Sequence, residues 1–218
     1  MAAQTESQGD RSTHDGTQRL LEFIRRHGRK AVGGGVGVLV VAGVVWFSVA
    51  ARARKELFAE RAIQTARVAV SVGNLPLAAN DLSRVVSTFE GTRAANQASI
   101  LLAHVRLLRG QAPLAVTELR SFIQSGPPTH LKVAANALLA VALEEVGQAG
   151  AAAAAYEAAS AASRFDFLTA EYLVEAGRAH VLAGDTSAAV RAYQSVIDEY
   201  VDTPSISEAR MRLAEVGR

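Results

Sequence analysis

The chain has 218 residues, half of them apolar and a fifth charged, with a mean hydropathy of +0.14 and a formal charge of +2. That length and apolar content suffice for one folded domain and something more. There is no cysteine, which excludes a disulfide framework and thiol chemistry. Residues 1–55 hold nine Lys/Arg against four Asp/Glu and residues 56–218 fourteen against seventeen, so the larger part is mildly acidic, which argues against a nucleic-acid-binding face.

Residues 1–18 are polar, without branched apolar or aromatic side chains, and predict a disordered tail. Residues 19–30, RLLEFIRRHGRK, mix Leu20, Leu21, Phe23 and Ile24 with basic side chains. They read as a basic membrane flank, the other reading being a short amphipathic helix on anionic lipid. Residues 31–51 carry no charge, and at ~1.5 Å per residue they predict a transmembrane helix. Trp46 and Phe47 stand near one end of it, where an aromatic belt would fall. A cleaved signal peptide is the rival, because Ser48-Val49-Ala50 and Ala51-Arg52-Ala53 resemble cleavage sites; the long apolar run and the thirty residues before it favour an uncleaved anchor. Gly33 and Gly37 form a GxxxG, which either packs a second helix or simply belongs to a glycine-rich span. Basic residues balance across the span, and the expectation is that the short tail stays in the cytoplasm while the larger domain is translocated.

Beyond the span there is neither glycine nor proline until Gly73, so the helix is expected to run on into the folded part. Gly73, Gly110, Gly147 and Gly184 then recur every 37 residues. Each has a small residue seven before it (Ala66, Ala103, Ala140, Gly177), an alanine five after it (Ala78, Ala115, Ala152, Ala189) and a large side chain four further on (Leu82, Leu119, Tyr156, Tyr193). The glycine ends one helix, Pro76 or Pro113 opens the next in two copies, and the small residues let the pair approach closely. One pair cannot bury its apolar side alone, whereas stacked pairs can. The pattern predicts an all-α solenoid over residues 52–218, with helix pairs near 56–72 with 76–89, 95–109 with 113–124, 130–146 with 149–162 and 168–183 with 187–200. SISEARMRLAEV after Pro204 predicts a capping helix. The alanine-rich run 151–162 falls in register and reads as close-packed helix.

Catalytic machinery is not in view. His14, His27, His104, His130 and His180 share no metal-ligand spacing, and Glu144-Glu145 and Asp198-Glu199 are sequence neighbours that point apart on a helix. Phosphate-binding loops, nucleophile elbows and dinucleotide fingerprints are missing. No catalytic, metal or cofactor site is expected, and an enzyme is the least supported class.

The register resembles the tetratricopeptide repeat, best in the last copy, GRAHVLAGDTSAAVRAY, where Gly177, Gly184-Asp185, Ala189 and Tyr193 match that family's small, turn, small and aromatic positions. The resemblance implies a protein-binding groove lined by the first helices. Carried onto this register it implies a lining of Ile63, Arg67 and Val70, then Ile100, His104 and Leu107, then Ala137, Val141 and Glu144, then Val174, Arg178 and Val181. The asparagine and lysine pairs with which some such domains clamp a terminal carboxylate are absent.

The whole arrangement, with FIRRHGRK, a glycine-rich span ending in tryptophan, four repeats and the closing EYVDTPSISEARMRLAEV, resembles bacterial tetratricopeptide-like single-pass inner-membrane proteins typified by the ancillary subunit of the SecYEG translocon (YfgM-like). That resemblance implies a cytoplasmic N-terminus, periplasmic repeats, and translocon subunits, periplasmic chaperones or secreted clients as partners, with no nucleic acid or small-molecule substrate. The closing segment is also similar to repeats of periplasmic division coordinators and envelope-assembly proteins, which implies an adaptor in those processes as the alternative.

Overall fold

The computed structural model describes residues 11–217, with side chains from Val41 onward. Among these residues the order of elements is α1 (Arg11–Ser71), α2 (Leu75–Thr88), α3 (Arg93–Leu108), α4 (Ala112–Gln124), α5 (Thr129–Glu145), α6 (Ala149–Ala162), α7 (Asp166–Leu182), α8 (Thr186–Glu199) and α9 (Ile206–Val216). The chain divides into two compact units, Met1–Arg54 and Lys55–Arg218.

In the first unit, residues 1–10 of the expected tail lie outside the described residues, and α1 begins at Arg11. The side chains of the basic flank, 19–30, and of residues 31–40 of the expected span also lie outside them. Among the described residues no helix is long and apolar enough to cross a membrane. The stretch that is described is nonetheless bare, with Val41, Val44, Val45, Trp46, Phe47 and Val49 all exposed.

The second unit is a stack of helix pairs in the expected register. Gly73, Gly110, Gly147 and Gly184 have φ of 75°, 66°, 76° and 80°, the left-handed turn that a side chain resists. At each, two backbone bonds close the first helix. Gly73 N–H donates to Val70 O at 3.0 Å and Asn74 N–H to Ala69 O at 2.9 Å. The same pair recurs at Gly110 and Gln111, Gly147 and Gln148, and Gly184 and Asp185. The second residue of each turn is also the cap of the following helix. The Asn74 and Asp185 side chains accept from Leu77 N–H and Ala188 N–H at 3.2 and 2.9 Å, whereas Gln111 and Gln148 make no such bond. Pro76 and Pro113 occupy the first turns of α2 and α4, where a missing N–H costs nothing.

Ala66, Ala78, Ala103, Ala115, Ala140, Ala152 and Ala189 are fully buried, and Leu82, Leu119, Tyr156 and Tyr193 are buried among them. Gly177 goes further than alanine: a methyl group there would stand 2.4 Å from Cε1 of Tyr193. The core runs along the stack as three clusters, one under α1 to α3, one from α3 to α7, and one joining α7 and α8 to the cap α9 through Ala209.

The helix starts differ in places from those expected. α3 begins at Arg93 rather than 95 because a carboxylate from the preceding repeat reaches it: Glu56 accepts from Arg93 N–H at 3.0 Å and from Ala94 N–H at 3.1 Å. Thr92 Oγ1 accepts from Ala95 N–H at 3.1 Å, and together they satisfy three of the amides that a helix start leaves open. Lys55 Nζ donates to Glu90 O at 2.7 Å beside them.

Candidate protein-binding wall

The first helices of the four pairs are α1 from Lys55 onward, α3, α5 and α7, and α3 and α5 touch directly. A residue of one first helix has its counterpart 37 positions on. Arg67, His104, Val141 and Arg178 therefore form one row, and Val70, Leu107, Glu144 and Val181 another.

The twelve residues expected on the wall divide into three groups. Ile63 and Val174 are corrections: they are 0% and 4% exposed and belong to the core rather than the lining. Ile63 shares its stripe with Ala59 and Ala66 and packs with them in the core cluster that holds Ala78 and Leu82 of the second helix. Val70, Ile100, Leu107, Ala137 and Val141 are half-buried, presenting one side outward. Arg67, His104 and Val181 are exposed, and Glu144 and Arg178 are partly so.

Polar bridges join the first and last pairs of repeats. Arg67 Nη2 donates to Gln97 Oε1 at 3.1 Å, from α1 to α3. Arg178 Nη2 donates to both oxygens of Glu144, at 2.7 and 2.9 Å, from α7 to α5, while its Nε donates to Glu175 at 2.8 Å. Tyr156 OH lies 3.5 Å from Glu144 Oε2 behind this cluster. Burial pushes the Tyr156 phenol up, and the charges of Glu144 and Glu175 push it further, against a smaller opposing effect of Arg178. Burial alone would weaken the Arg178 charge, but its hydrogen bonds to Glu144 and Glu175 outweigh that and keep the guanidinium protonated. Arg178 and Glu144 are therefore mutually satisfied.

Between α3 and α5 no polar side-chain bridge occurs among the described residues. There the wall is apolar, made by Ile100, Leu107, Ala137 and Val141, with the exposed His104 beside them and no hydrogen-bond partner among the described residues. An apolar strip with a polar pair at each end can take up apolar side chains of another chain. Among the described residues no group of three or more His, Cys, Asp or Glu is placed to hold a metal ion. His180 instead pairs with Glu157 at 2.9 Å, from α7 to α6, the second helix of the preceding repeat.

One feature lies outside the register. Arg106 Nη1 donates to Gln111 Oε1 at 2.9 Å and Nη2 to Glu118 Oε1 at 3.3 Å, tying α3 to the following turn and to α4. Neither arginine nor glutamate recurs at the counterpart positions 143 and 155, which are leucine and alanine, so periodicity carries no trace of the pair.

Stacked two-helix units closed by left-handed glycines, with a partly apolar wall of first helices, define a helical repeat scaffold of the kind that binds proteins. Over residues 22–217 the sequence matches the tetratricopeptide repeat-like domain family, and the chain belongs to it. Solved structures agree on the fold. A tetratricopeptide repeat protein from Parabacteroides merdae ATCC 43184 superimposes with a TM-score of 0.59 at 13% identity, over 72% of this chain and 59% of that one. Two structures of a Podosopora anserina protein of nearly identical tetratricopeptide-like repeats, assigned to the kinesin light chains, give TM-scores of 0.58 at 21% and 20% identity, over 72% of this chain and 84% of theirs. The chain thus spans 59% of the length of the Parabacteroides protein. No curated protein sequence matches it significantly.

Proposed function

We propose that the protein is a membrane-anchored scaffold that works at the bacterial inner membrane, its first-helix wall receiving segments of proteins that pass the Sec translocon or of the chaperones that meet them in the periplasm. The observation that carries the binding role is the apolar strip of Ile100, Leu107, Ala137 and Val141, half-exposed and unbridged between two polar latches. The anchoring role rests on the uncharged residues 31–51 together with the exposed run from Val41 to Val49, which no element of the protein covers among the described residues. The orientation, with the tail in the cytoplasm and the repeats in the periplasm, follows from the resemblance of the whole arrangement to single-pass translocon-associated proteins.

The experiment places a photo-crosslinking amino acid at His104 or Val141 of the full chain in intact cells and asks for adducts with the translocon channel or a periplasmic chaperone. Adducts at these positions, lost on Val141→Glu and absent from an outer-face control at Arg120, support the reading. Adducts only with cytoplasmic proteins, or protection of the residues after Lys55 from protease in spheroplasts, overturn it.

A further inference from the structure

We infer that the edge of the stack between the third and fourth repeats holds a second binding site, separate from the first-helix wall, for an extended peptide segment that carries a large apolar side chain next to a carboxylate. The site is a cavity of about 380 Å³. Its apolar surface comes from Val133 of α5, Ala162 at the end of α6, and Phe165 and Leu168 at the start of α7. Its cationic group is Arg164, the imidazole of His130 stands on the same lining, and no carboxylate lines it. The volume lies in the lower part of the range for ligand pockets, a size suited to one or two side chains and not to a folded partner.

Neither helix capping nor the repeat pattern calls for the aromatic residue at its rim. Phe165 is 61% exposed and occupies the cap position of α7, where it makes no side-chain cap bond. Ser, Thr, Asp or Asn at such a position would stabilise the helix start, as Thr92 and Asp185 do in this protein. The counterparts of Phe165 in the other repeats are Gly91, Pro128 and Asp202, so the repeat pattern does not call for an aromatic. Phe167, in the first turn of α7 and 52% exposed, packs beside it with ring centroids 5.8 Å apart. Exposed aromatics with an arginine alongside are the composition of binding hot spots rather than of solvent-facing loops.

Charge selects the occupant. Arg164, like Arg120 and Arg191, has no ion-pair partner among the described residues, whereas Arg84, Arg106, Arg178 and Arg212 are paired with one or two carboxylates. With His130 across the cavity it offers donors to a carboxylate while the four apolar side chains receive the neighbouring apolar group. A second cavity of about 460 Å³ adjoins on the far side of Phe165, sharing Arg164 and Phe165 and lined also by Asp166, Asp202, Tyr200 and Thr203. A peptide laid across Phe165 would therefore pass from a basic pocket toward an acidic one, which fixes its direction: the acidic residue sits in the first cavity and a polar or basic one follows in the second.

The test is fluorescence anisotropy with the full chain in detergent micelles and labelled peptides of the form Gly-Ser-Leu-Asp-Ser-Lys-Gly. Saturable binding is expected, weakened at least tenfold by Arg164→Glu and by Phe165→Ser, and at least tenfold weaker for a peptide whose Asp is replaced by Lys. That Lys peptide should in turn bind Arg164→Glu better than it binds the unaltered protein, a reversal that loss of folding cannot produce. Val141→Glu, on the first-helix wall, should leave this binding unchanged, so that failure here and failure of the wall are told apart. No saturable binding, equal binding of the Asp and Lys peptides, or indifference to both Arg164→Glu and Phe165→Ser overturns the inference.

Discussion

Gly177→Ala is the substitution that tests the packing of the stack most sharply, because two effects of opposite sign meet at one methyl group. In the middle of α7 alanine is the better helix former, by about 1 kcal/mol. Against that, the added carbon would meet Cε1, Cζ and Cδ1 of Tyr193 at 2.4, 2.7 and 2.9 Å, all far inside ordinary contact distance. The ring cannot swing away easily: Tyr193 is 1% exposed and packed with Ala170, Val174, Ala189, Val196 and Ala209. Overfilling a close-packed site costs about 1–3 kcal/mol, and overlap of three ring atoms at once belongs at the upper end. The net expectation is destabilisation by about 2 kcal/mol, or a melting temperature lower by about 4–8 °C for a domain of this size. A tyrosine alone does not demand glycine, since Ala140 coexists with Tyr156, whose hydroxyl is drawn toward Glu144. The decisive comparison is the double variant Gly177→Ala with Tyr193→Leu, which rebuilds the pairing of Ala66 with Leu82 and Ala103 with Leu119. Tyr193→Leu leaves a cavity and is destabilising by itself. Adding Gly177→Ala to it should cost nothing further, giving a coupling of at least about 2 kcal/mol in urea unfolding followed by circular dichroism. A Gly177→Ala protein as stable as the parent, or additive effects in the double variant, would refute the packing argument.

Two further outcomes follow from the geometry. Tyr156, Tyr172 and Tyr193 are all held above the ordinary phenol value of 10, burial being the first cause in each, so the folded protein keeps these protons to higher pH than the unfolded chain. Their contribution is complete below about pH 10 and is lost as pH rises from there; melting temperatures should fall as pH rises above about 10, and less steeply in Tyr156→Phe, with an unchanged slope as the contrary result. Glu56→Ala removes the acceptor for Arg93 N–H and Ala94 N–H, and should cost about 1 kcal/mol. Amide exchange should accelerate at the start of α3 while α5 and α7 stay protected, and uniform acceleration would contradict a local role.

What was legible in the amino acids was whatever repeats within a single hairpin. A left-handed glycine, a small residue on each side and a large one beyond it are local requirements, and they placed all four pairs to within about two residues. The interaction of Glu56 with the start of α3 spans 37 to 38 positions and is made once, so no periodicity announces it. Arg178 and Glu144 were both expected on the lining, yet their pairing depends on a relation between repeats: the Arg67-type position of one first helix lies against the Val70-type position of the previous one. Only in the last two repeats do opposite charges occupy those two positions. Ile63 and Val174 were misplaced for a related reason: the boundary between wall and core runs through their register position, with Ile63 and Val174 buried and Ile100 and Ala137 half-buried, so burial there depends on the neighbouring repeats. Arg164 and Phe165 went unnoticed because the counterpart positions differ in every copy, Gly91, Pro128 and Asp202 for Phe165, so an aromatic there breaks no pattern.

The turns at Gly73, Gly110, Gly147 and Gly184 are each completed within six consecutive backbone positions, with one residue ending a helix and starting the next. Such a joint is self-sufficient, so a hairpin travels as a cassette. Tandem duplication of one internal 37-residue block in frame should lengthen the stack without redesign of its bends, whereas inserting a single residue after any of these glycines would unseat two helix ends together. New length in this lineage is therefore expected to arrive a whole cassette at a time, and extra loop residues to collect at the opposite edge, around Gly91, Gly126 and Arg164.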